Sequence, residues 1–303
     1  MEKIFSVEND FVNARLDRWF KKNVCNAPQS LIEKNLRKGK IKINNRKYKS
    51  SYKLKKSDLI YIDNLNLTPN KNKKHLEKYK ATKIELSTSS KIFIENNENF
   101  AIINKPAGIA VQPGTKSRKN ILDILRNTKE FEGLTPYTVH RIDKETTGVL
   151  IIAKNRKYAQ LFTSLFRIRK IHKTYLGIVL GEIKKNKGTF TDVLFHYEGK
   201  TKVKTKAITH FNVLDSNSNY SLLKLTPYTG RKHQLRKQLT IRGHPIIGDD
   251  KYKIKERYIN KKSNLMLHAY KISFLIDDKK YDFSAKIPER FEYTLKQKYL
   301  KIV

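Results

Sequence analysis

Apolar residues recur along the first part of this chain in two rhythms, one typical of helices and one of strands. Helical spacing is found over residues 16–20 and again from 28 to a glycine at 39. Strict alternation marks residues 41–43, and a short β-branched run marks 59–62. Residues 1–10 show no clear pattern and are expected to be a frayed lead-in. The pattern predicts a small domain of two helices and a short sheet over residues 1–64.

The rest of the chain follows a different plan, which begins after a polar, lysine-rich stretch predicted to be a linker over residues 65–90. Strand-like runs then far outnumber helical ones. Helices are predicted near 121–125, 158–166 and 235–239, and strands near 92–94, 100–103, 149–153, 174–181, 190–195, 207–214, 220–225, 265–270 and 281–283. This count predicts a second domain over residues 91–303, of the α+β class, built on a mostly antiparallel sheet with few helices.

Charge adds a class of partner to this outline. The 303 residues include 65 Lys and Arg against 28 Asp and Glu, so the formal net charge is +37, spread along the whole chain. A field of this size attracts polyanions, and nucleic acid is the expected one. An anionic membrane surface would also be attracted, and heavy use of Lys, Asn and Ile is compatible with compositional drift.

Several classes of protein are excluded by what the sequence lacks. No run approaches the roughly 20 apolar residues of a membrane-spanning helix, and the N-terminus has no apolar segment typical of a secretory signal. Cys25 is the only cysteine, which excludes internal disulfides and fits a reducing cytosol. The histidines show no metal-binding spacing and no Gly-x-Gly occurs. We therefore expect a cytoplasmic protein without a metal or a nucleotide cofactor.

The stretch HRIDKETTGVLIIAKN, at 140–155, joins a charged tetrad to a short apolar run. The run predicts a buried strand, with Asp143 on its edge and Arg141 two residues away. Arg keeps its charge and would keep a nearby carboxylate ionised, so Asp143 is a candidate nucleophile. The spacing alone favours the simpler alternative, a salt-bridged turn that caps a strand. Two distant residues add to the candidate site: Arg236 on a predicted helix, and Tyr175, whose ring can stack on a base.

Basic residues also cluster on the predicted helices of the first domain. Arg15, Arg18, Arg37 and Lys38 should form a helical surface suited to phosphates. With RLD at 15–17 and GKIKIN at 39–44, this region resembles the alpha-L RNA-binding domain, named for ribosomal protein S-four. The usual glycine before Asp58 is absent, since Ser57 stands there. The resemblance implies an RNA-binding module.

The second domain resembles the RluA-type RNA pseudouridine synthases, through separated blocks whose order and spacing match. The blocks are NKPAG at 104–108, HRID at 140–143 with TTG at 146–148, KTY at 173–175, GR at 230–231 with HQLR at 233–236, GD at 248–249, and LHA at 267–269. An alpha-L domain before such a catalytic domain is the arrangement of the RluC and RluD branch.

This resemblance implies an activity and its catalytic residues. Such enzymes isomerise uridine to pseudouridine within RNA and need no cofactor or metal. By similarity, Asp143 would be the nucleophile, and Arg236 would pair with it and keep it ionised. Tyr175 would stack on the target uracil and help to remove the proton of carbon 5.

The resemblance implies RNA-binding roles for other residues. Arg141 would help to displace the flipped nucleotide, and Leu267 would line the pocket. Arg231 would bind phosphate or only shape its loop. The basic run at 200–206 is equally compatible with a solvated face and an RNA contact. Departures from the usual family pattern, such as Gln238, are expected to alter how the RNA backbone is held.

The predicted partner is large-subunit ribosomal RNA, bound by a monomer without a membrane. Two alternatives remain open at this point. One is a non-catalytic RNA-binding or ribosome-assembly factor on the same fold, and the other is a pseudouridine synthase that acts on transfer RNA. The complete set of Asp143, Tyr175 and Arg236 argues against the first, and the N-terminal domain argues against the second.

Overall fold

The chain divides into two compact units, Met1–Glu77 and Lys78–Val303. The structure, a computed structural model, describes residues 2–8, 11–63, 65, 90–112, 120–198, 201–254 and 264–302. Most of the predicted linker therefore lies outside the described residues. Within the described part, no helix is long and apolar enough to cross a membrane.

The first unit is a three-stranded antiparallel sheet covered by two helices. Its elements are β1 (Glu2–Ser6), α1 (Leu16–Asn23), α2 (Gln29–Arg37), β2 (Ile41–Ile43) and β3 (Leu59–Asp63), with strand order β1-β3-β2. The expected frayed lead-in is wrong, because β1 pairs with β3 along its whole length. The rings of Phe5 and Trp19 pack in a T-shaped arrangement with centroids 5.5 Å apart. A five-residue pattern cannot show this contact with a distant residue.

The second unit contains a ten-stranded sheet and four α-helices among the described residues. Its elements are β4 (Phe93–Asn96), β5 (Phe100–Lys105), α3 (Ile121–Leu125), β6 (Tyr137–Thr138), β7 (Thr147–Ala153), α4 (Arg156–Arg167), β8 (His172–Leu180), β9 (Lys187–Glu198), β10 (Thr201–Ser216), β11 (Tyr220–Pro227), α5 (Gln234–Ile241), β12 (Leu267–Ile276), β13 (Lys279–Ser284) and α6 (Glu289–Gln297). The strand order is β4-β5-β7-β12-β8-β11-β10-β9, while β13 pairs with β12 and β6 with β7. The predicted α+β class and mostly antiparallel sheet are confirmed.

The differences from the predicted elements have local causes. The basic run at 200–206 was placed between strands, but residues 201–206 belong to β10, because a strand exposed on one face can carry a lysine at every second position. Helix α6 was not predicted. It begins after Pro288 and buries only Phe291 and Leu295, which makes a weak periodic signal.

Two neighbouring strands of the sheet run parallel next to the loop that precedes β7. Among the paired strands that the structure describes, only β7 and β12 run parallel, through His268 opposite Thr147 and Ala269 opposite Gly148. Gly148 has a φ of +108°, and a Cβ there would lie 2.1 Å from the carbonyl oxygen of Ala269. The two strands can approach this closely only because position 148 is a glycine.

Aromatic packing fixes β7 from the opposite face. Phe162 of α4 meets Phe100 and Phe274 edge to face, with centroids 5.3 Å and 5.2 Å away. Every residue from 149 to 153 is buried, as the sequence predicted for this strand. The loop that precedes β7 is therefore attached to a rigid part of the core.

Candidate active site

Asp143 lies in the loop that leads into β7, beside the buried residue Ile142. Its carbonyl accepts a hydrogen bond from the N–H of Thr146 at 3.2 Å, which closes the turn before the strand. The side chain of Asp143 is 21% exposed, so the carboxylate is accessible from solvent while its backbone is held.

A buried lysine supports this loop from behind. The Nζ of Lys105 donates to three carbonyl oxygens, those of Pro106 at 2.7 Å, Ile109 at 3.0 Å and Lys144 at 3.0 Å. Burial lowers the pKa of Lys105 to about 7, against the opposing effect of nearby Glu145 and Asp143. Three acceptors match the three N–H donors of an ammonium group. Lys105 thus ties two loops together next to Asp143, a role that the sequence reasoning did not assign.

Arg236 of α5 lies between two carboxylates. Its Nη1 donates to Oδ2 of Asp143 at 3.1 Å, so the two residues that the sequence placed 93 positions apart meet. On its other side, Nε and Nη2 donate to Oδ2 and Oδ1 of Asp249, both at 2.7 Å. Burial lowers the pKa of Arg236, but the hydrogen bonds and charges of Asp249 and Asp143 outweigh it and raise that pKa above its usual value.

Asp249 is a second residue of the site to which sequence reasoning gave no role. Its side chain is fully buried, and Oδ1 also accepts the backbone N–H groups of Lys251 and Tyr252, each at 2.9 Å. The bidentate pair fixes the plane of the Arg236 guanidinium and leaves only Nη1 for Asp143. The family block GD at 248–249 was the available signal, but it gave no partner for the carboxylate.

His233 is the second neighbour of Asp143. Its Nε2 lies 3.8 Å from Oδ1, beyond hydrogen-bond distance, and its Nδ1 bonds the hydroxyl of Tyr252 at 2.9 Å. Burial lowers the pKa of His233, although the charge of Asp143 opposes this. His268, in the family block at 267–269, hydrogen-bonds Thr147 Oγ1 through Nδ1 at 2.8 Å.

These groups open into a cleft of about 780 Å³ that also contains Tyr175 and Leu267. Tyr175 is half-buried at the start of β8, opposite Ala269 of β12, and Leu267 is buried at the start of β12. Burial, together with the charge of Asp143, raises the pKa of Tyr175, so its phenol is neutral.

Positively charged side chains outnumber carboxylates in the described lining of the cleft. Among its described lining residues Asp143 is the single carboxylate, and the cations around it are Arg141, Arg167, Arg169, Lys173, Arg231 and Arg236. Arg141 and Arg231 are exposed, and the Nε of Arg231 donates to the carbonyl of Lys206 at 3.1 Å. A cleft of this kind attracts a phosphate backbone to a single reactive carboxylate.

The other predicted RNA-binding residues lie in the first unit. Arg18, Arg37 and Lys38 are exposed on α1 and at the end of α2. Arg15 is held by the largely buried Asp17, with bonds of 3.1 Å and 2.6 Å. Two N–H groups of the Arg15 guanidinium are therefore occupied by this ion pair.

Gln238 corrects one expectation about the RNA backbone. It is fully buried in α5, where it accepts from Thr209 Oγ1 at 2.6 Å and donates to Asp192 Oδ2 at 2.7 Å. The departure from the usual family residue therefore lies in the contact between α5 and the sheet, where the Gln238 side chain is not exposed.

Known proteins similar to this chain include RNA pseudouridine synthases. The family profile described as RNA pseudouridylate synthase matches residues 99–240. A protein of Rickettsia felis named ribosomal large subunit pseudouridine synthase C is 36% identical, over 93% of this chain and 96% of its own. Its namesake in Buchnera aphidicola subsp. Schizaphis graminum is 31% identical, over 90% and 89%.

A solved structure shares the fold. Human RNA pseudouridylate synthase domain containing 4 is 25% identical, with a TM-score of 0.61 over 72% of this chain and 97% of that one. The region matched by the family profile, residues 99–240, includes Asp143, Tyr175 and Arg236. Given relatives that are more than 30% identical along nine-tenths of its length, this chain belongs to the RNA pseudouridylate synthase family.

Proposed function

We propose that this protein isomerises uridines of large-subunit ribosomal RNA to pseudouridine, with Asp143 as the nucleophile. The observation that carries the proposal is the pairing of Asp143 with Arg236. One carboxylate oxygen is held at 3.1 Å, while the other has no group nearer than His233 Nε2 at 3.8 Å among its ion-pair partners. An ionised carboxylate with one oxygen free is what nucleophilic attack requires. The name of the Rickettsia felis relative supports ribosomal RNA as the substrate.

The reaction conserves all atoms. Oδ1 of Asp143 attacks C1′ of the ribose, and the bond from C1′ to N1 of uracil breaks. The base turns so that its C5 faces C1′, and a C5–C1′ bond forms as the ester bond to Asp143 breaks. The C5 proton then leaves and N1 takes up a proton, so the product is an isomer of the substrate and Asp143 is regenerated.

The neighbouring residues supply the other needs of this route. The ring of Tyr175 offers a surface on which the extruded uracil stacks, and its hydroxyl relays the C5 proton. Arg141, exposed at the cleft, occupies the space that the extruded base leaves in the RNA. Arg231 and the other cations of the cleft bind phosphates.

The proposal extends to the molecule as a whole. The exposed Arg18, Arg37 and Lys38 of the first unit bind phosphates of structured RNA, as in an alpha-L domain. The proposal takes the protein to act as a monomer. A ribosomal RNA substrate and a single cysteine agree with a cytoplasmic location.

The decisive experiment is pseudouridine mapping of unmodified large-subunit ribosomal RNA and of transfer RNA after incubation with the protein. Wild-type protein should form pseudouridine in the ribosomal RNA, and Asp143→Asn should form none while still binding it. Asp282→Asn, in an exposed ion pair with Lys271, is the matched control and should behave as wild type. Modification by Asp143→Asn would refute the mechanism, and modification of transfer RNA alone would refute the substrate.

A further inference from the structure

The hairpin formed by β9 and β10 extends beyond the rest of the sheet. Strand β11 pairs with β10 only from Thr209 onward, whereas β9 pairs with β10 from Thr201 to Asn212. Residues 191–195 of β9 and 202–208 of β10 therefore form a two-stranded segment at the sheet edge, which we call the ribbon. One face of the ribbon packs on helix α5, and the other face is exposed.

The inner face of the ribbon is fixed to helix α5. Leu194 and Ala207 are buried on this face. The Nε2 of Gln238 donates to the carbonyl of Ala207 at 3.2 Å, and the Nζ of Lys237 donates to that of Phe195 at 2.9 Å. This anchoring makes the ribbon a rigid platform.

The outer face is exposed, aromatic and cationic. Val193 is 56% exposed and Phe195 is 42% exposed. Lys204 lies opposite Phe195 and Lys206 opposite Val193, and the Nζ of Lys202 lies 4.4 Å from the centroid of the Phe195 ring. No acidic residue occupies the outer-face positions of 191–195 and 202–208, since the acidic Asp192 is on the inner face and pairs with Arg242.

The outer face continues into the catalytic cleft. His210 is on the same face of β10 as Lys204 and Lys206, and it lines the cleft. The Nε of Arg231, another cleft residue, donates to the carbonyl of Lys206 at 3.1 Å. At about 3.4 Å per residue, Lys204 lies about 20 Å from His210 along the strand, a distance that a few nucleotides span.

We propose that the outer face of the ribbon is a second RNA-binding site, which holds a single-stranded segment next to the target uridine. One base stacks on Phe195, and Lys202, Lys204 and Lys206 bind the phosphates around it. This inference rests on the proposed function, because the bound segment belongs to the substrate strand. Three lysines that have no acidic partner among the described residues favour RNA over a protein surface as the occupant.

In the unbound ribbon, lysine side chains occupy the face of Phe195 on which a base would stack. The ammonium groups of Lys202 and Lys204 lie 4.4 Å and 5.9 Å from the Phe195 ring and partly cover it. A phosphate draws these cations to itself and exposes the ring face to a base. Stacking on a base is stronger than an exposed cation–π contact, so the exchange favours the bound state.

The test is the affinity of single-stranded RNA for ribbon variants of the full-length protein. A fluorescein-labelled oligouridylate of about 20 nucleotides is titrated against wild type, Phe195→Ala and Phe195→Trp at several salt concentrations. Phe195→Ala should raise Kd about 5- to 150-fold, which corresponds to one stacked base, and Phe195→Trp should restore the affinity. Replacing the three lysines by Gln should lower the slope of log Kd against log salt by about 2, while Phe195→Ala leaves the slope as it is.

The control is Leu275→Ala, which removes an equally exposed apolar side chain from β12, away from the ribbon and the cleft. Thermal unfolding of each variant establishes that it is folded. If Phe195→Ala binds RNA as Leu275→Ala does, or if Trp fails to restore binding, the ribbon site is refuted. Pseudouridine formation by wild type is measured separately. If wild type modifies ribosomal RNA but Phe195→Ala does not change RNA affinity, the ribbon site alone is refuted. If Phe195→Ala weakens RNA binding but wild type forms no pseudouridine, only the proposed function is refuted.

Discussion

Replacement of Asp249 by Asn tests how the cleft keeps its nucleophile available. In the folded protein Asp249 accepts two hydrogen bonds of 2.7 Å from Arg236 and is fully buried. Removing one charge from a buried ion pair destabilises a protein by about 3–5 kcal/mol. Because Asn retains one acceptor oxygen, we expect a loss near 3 kcal/mol in the free energy of unfolding.

The effect on catalysis follows from where Arg236 then turns. Without Asp249, Asp143 is the one carboxylate left to it among the described residues of the cleft. The guanidinium can then take both oxygens of Asp143, including the one that should attack. A misplacement of about 1 Å at a reacting group lowers the rate about 100-fold. We expect kcat to fall by about that factor while KM changes little, because the Asp249 side chain is fully buried.

The assay measures pseudouridine formation at a temperature where thermal unfolding shows that the variant is folded. Asp282→Asn is the control, because its exposed bond to Lys271 at 2.9 Å is worth about 0–1 kcal/mol. The reasoning is refuted if Asp249→Asn loses stability but keeps the kcat of the control. In that case Asp249 would support the fold and would not position Arg236.

Three further predictions concern single residues near the cleft. Burial lowers the pKa of His140 to about 3, below its value of about 6.5 in the unfolded chain, so the free energy of unfolding falls as pH drops through this window. From pH 7.5 to 5 the loss should be about 2 kcal/mol. Urea unfolding at both pH values should show that His140→Gln removes this loss. Gly148→Ala should lower stability by about 3 kcal/mol or more because of the clash with Ala269, whereas Gly108→Ala, with a φ of +80° and open space around it, should cost less in the same unfolding assay. Tyr175→Phe should bind RNA as wild type but lower kcat about 10²- to 10⁴-fold, and Tyr175→Leu should lose affinity as well; equal kcat for Tyr175→Phe and wild type would remove the proton relay.

The sequence predicted those parts of the fold that depend on local patterns. The run at 149–153 is a buried strand because five consecutive apolar residues suit a strand covered on both faces. Strand β1 was missed because its stability comes from pairing with β3, more than 50 residues later. Local patterns carry no information on such pairings.

The candidate site shows the same division. Asp143 and Arg236 were brought together by resemblance, and the structure places them 3.1 Å apart. Asp249 was overlooked because a carboxylate in a loop has no periodic signal, and its importance comes from burial and from bidentate geometry. Lys105 was only one residue of the family block at 104–108, and the structure alone gives its three carbonyl partners.

The parallel pairing of β7 with β12 has a consequence for how the protein folds. This joint connects residues 121 positions apart in sequence, at Thr147 and His268, and closing so long a loop is entropically costly. Contacts of such high sequence separation form slowly, so this joint should form late in folding. Asp143 lies just before one of the joined strands and Leu267 begins the other. A partly folded chain can therefore expose basic surface to RNA, but it has no assembled cleft, and modification begins only when the sheet is complete.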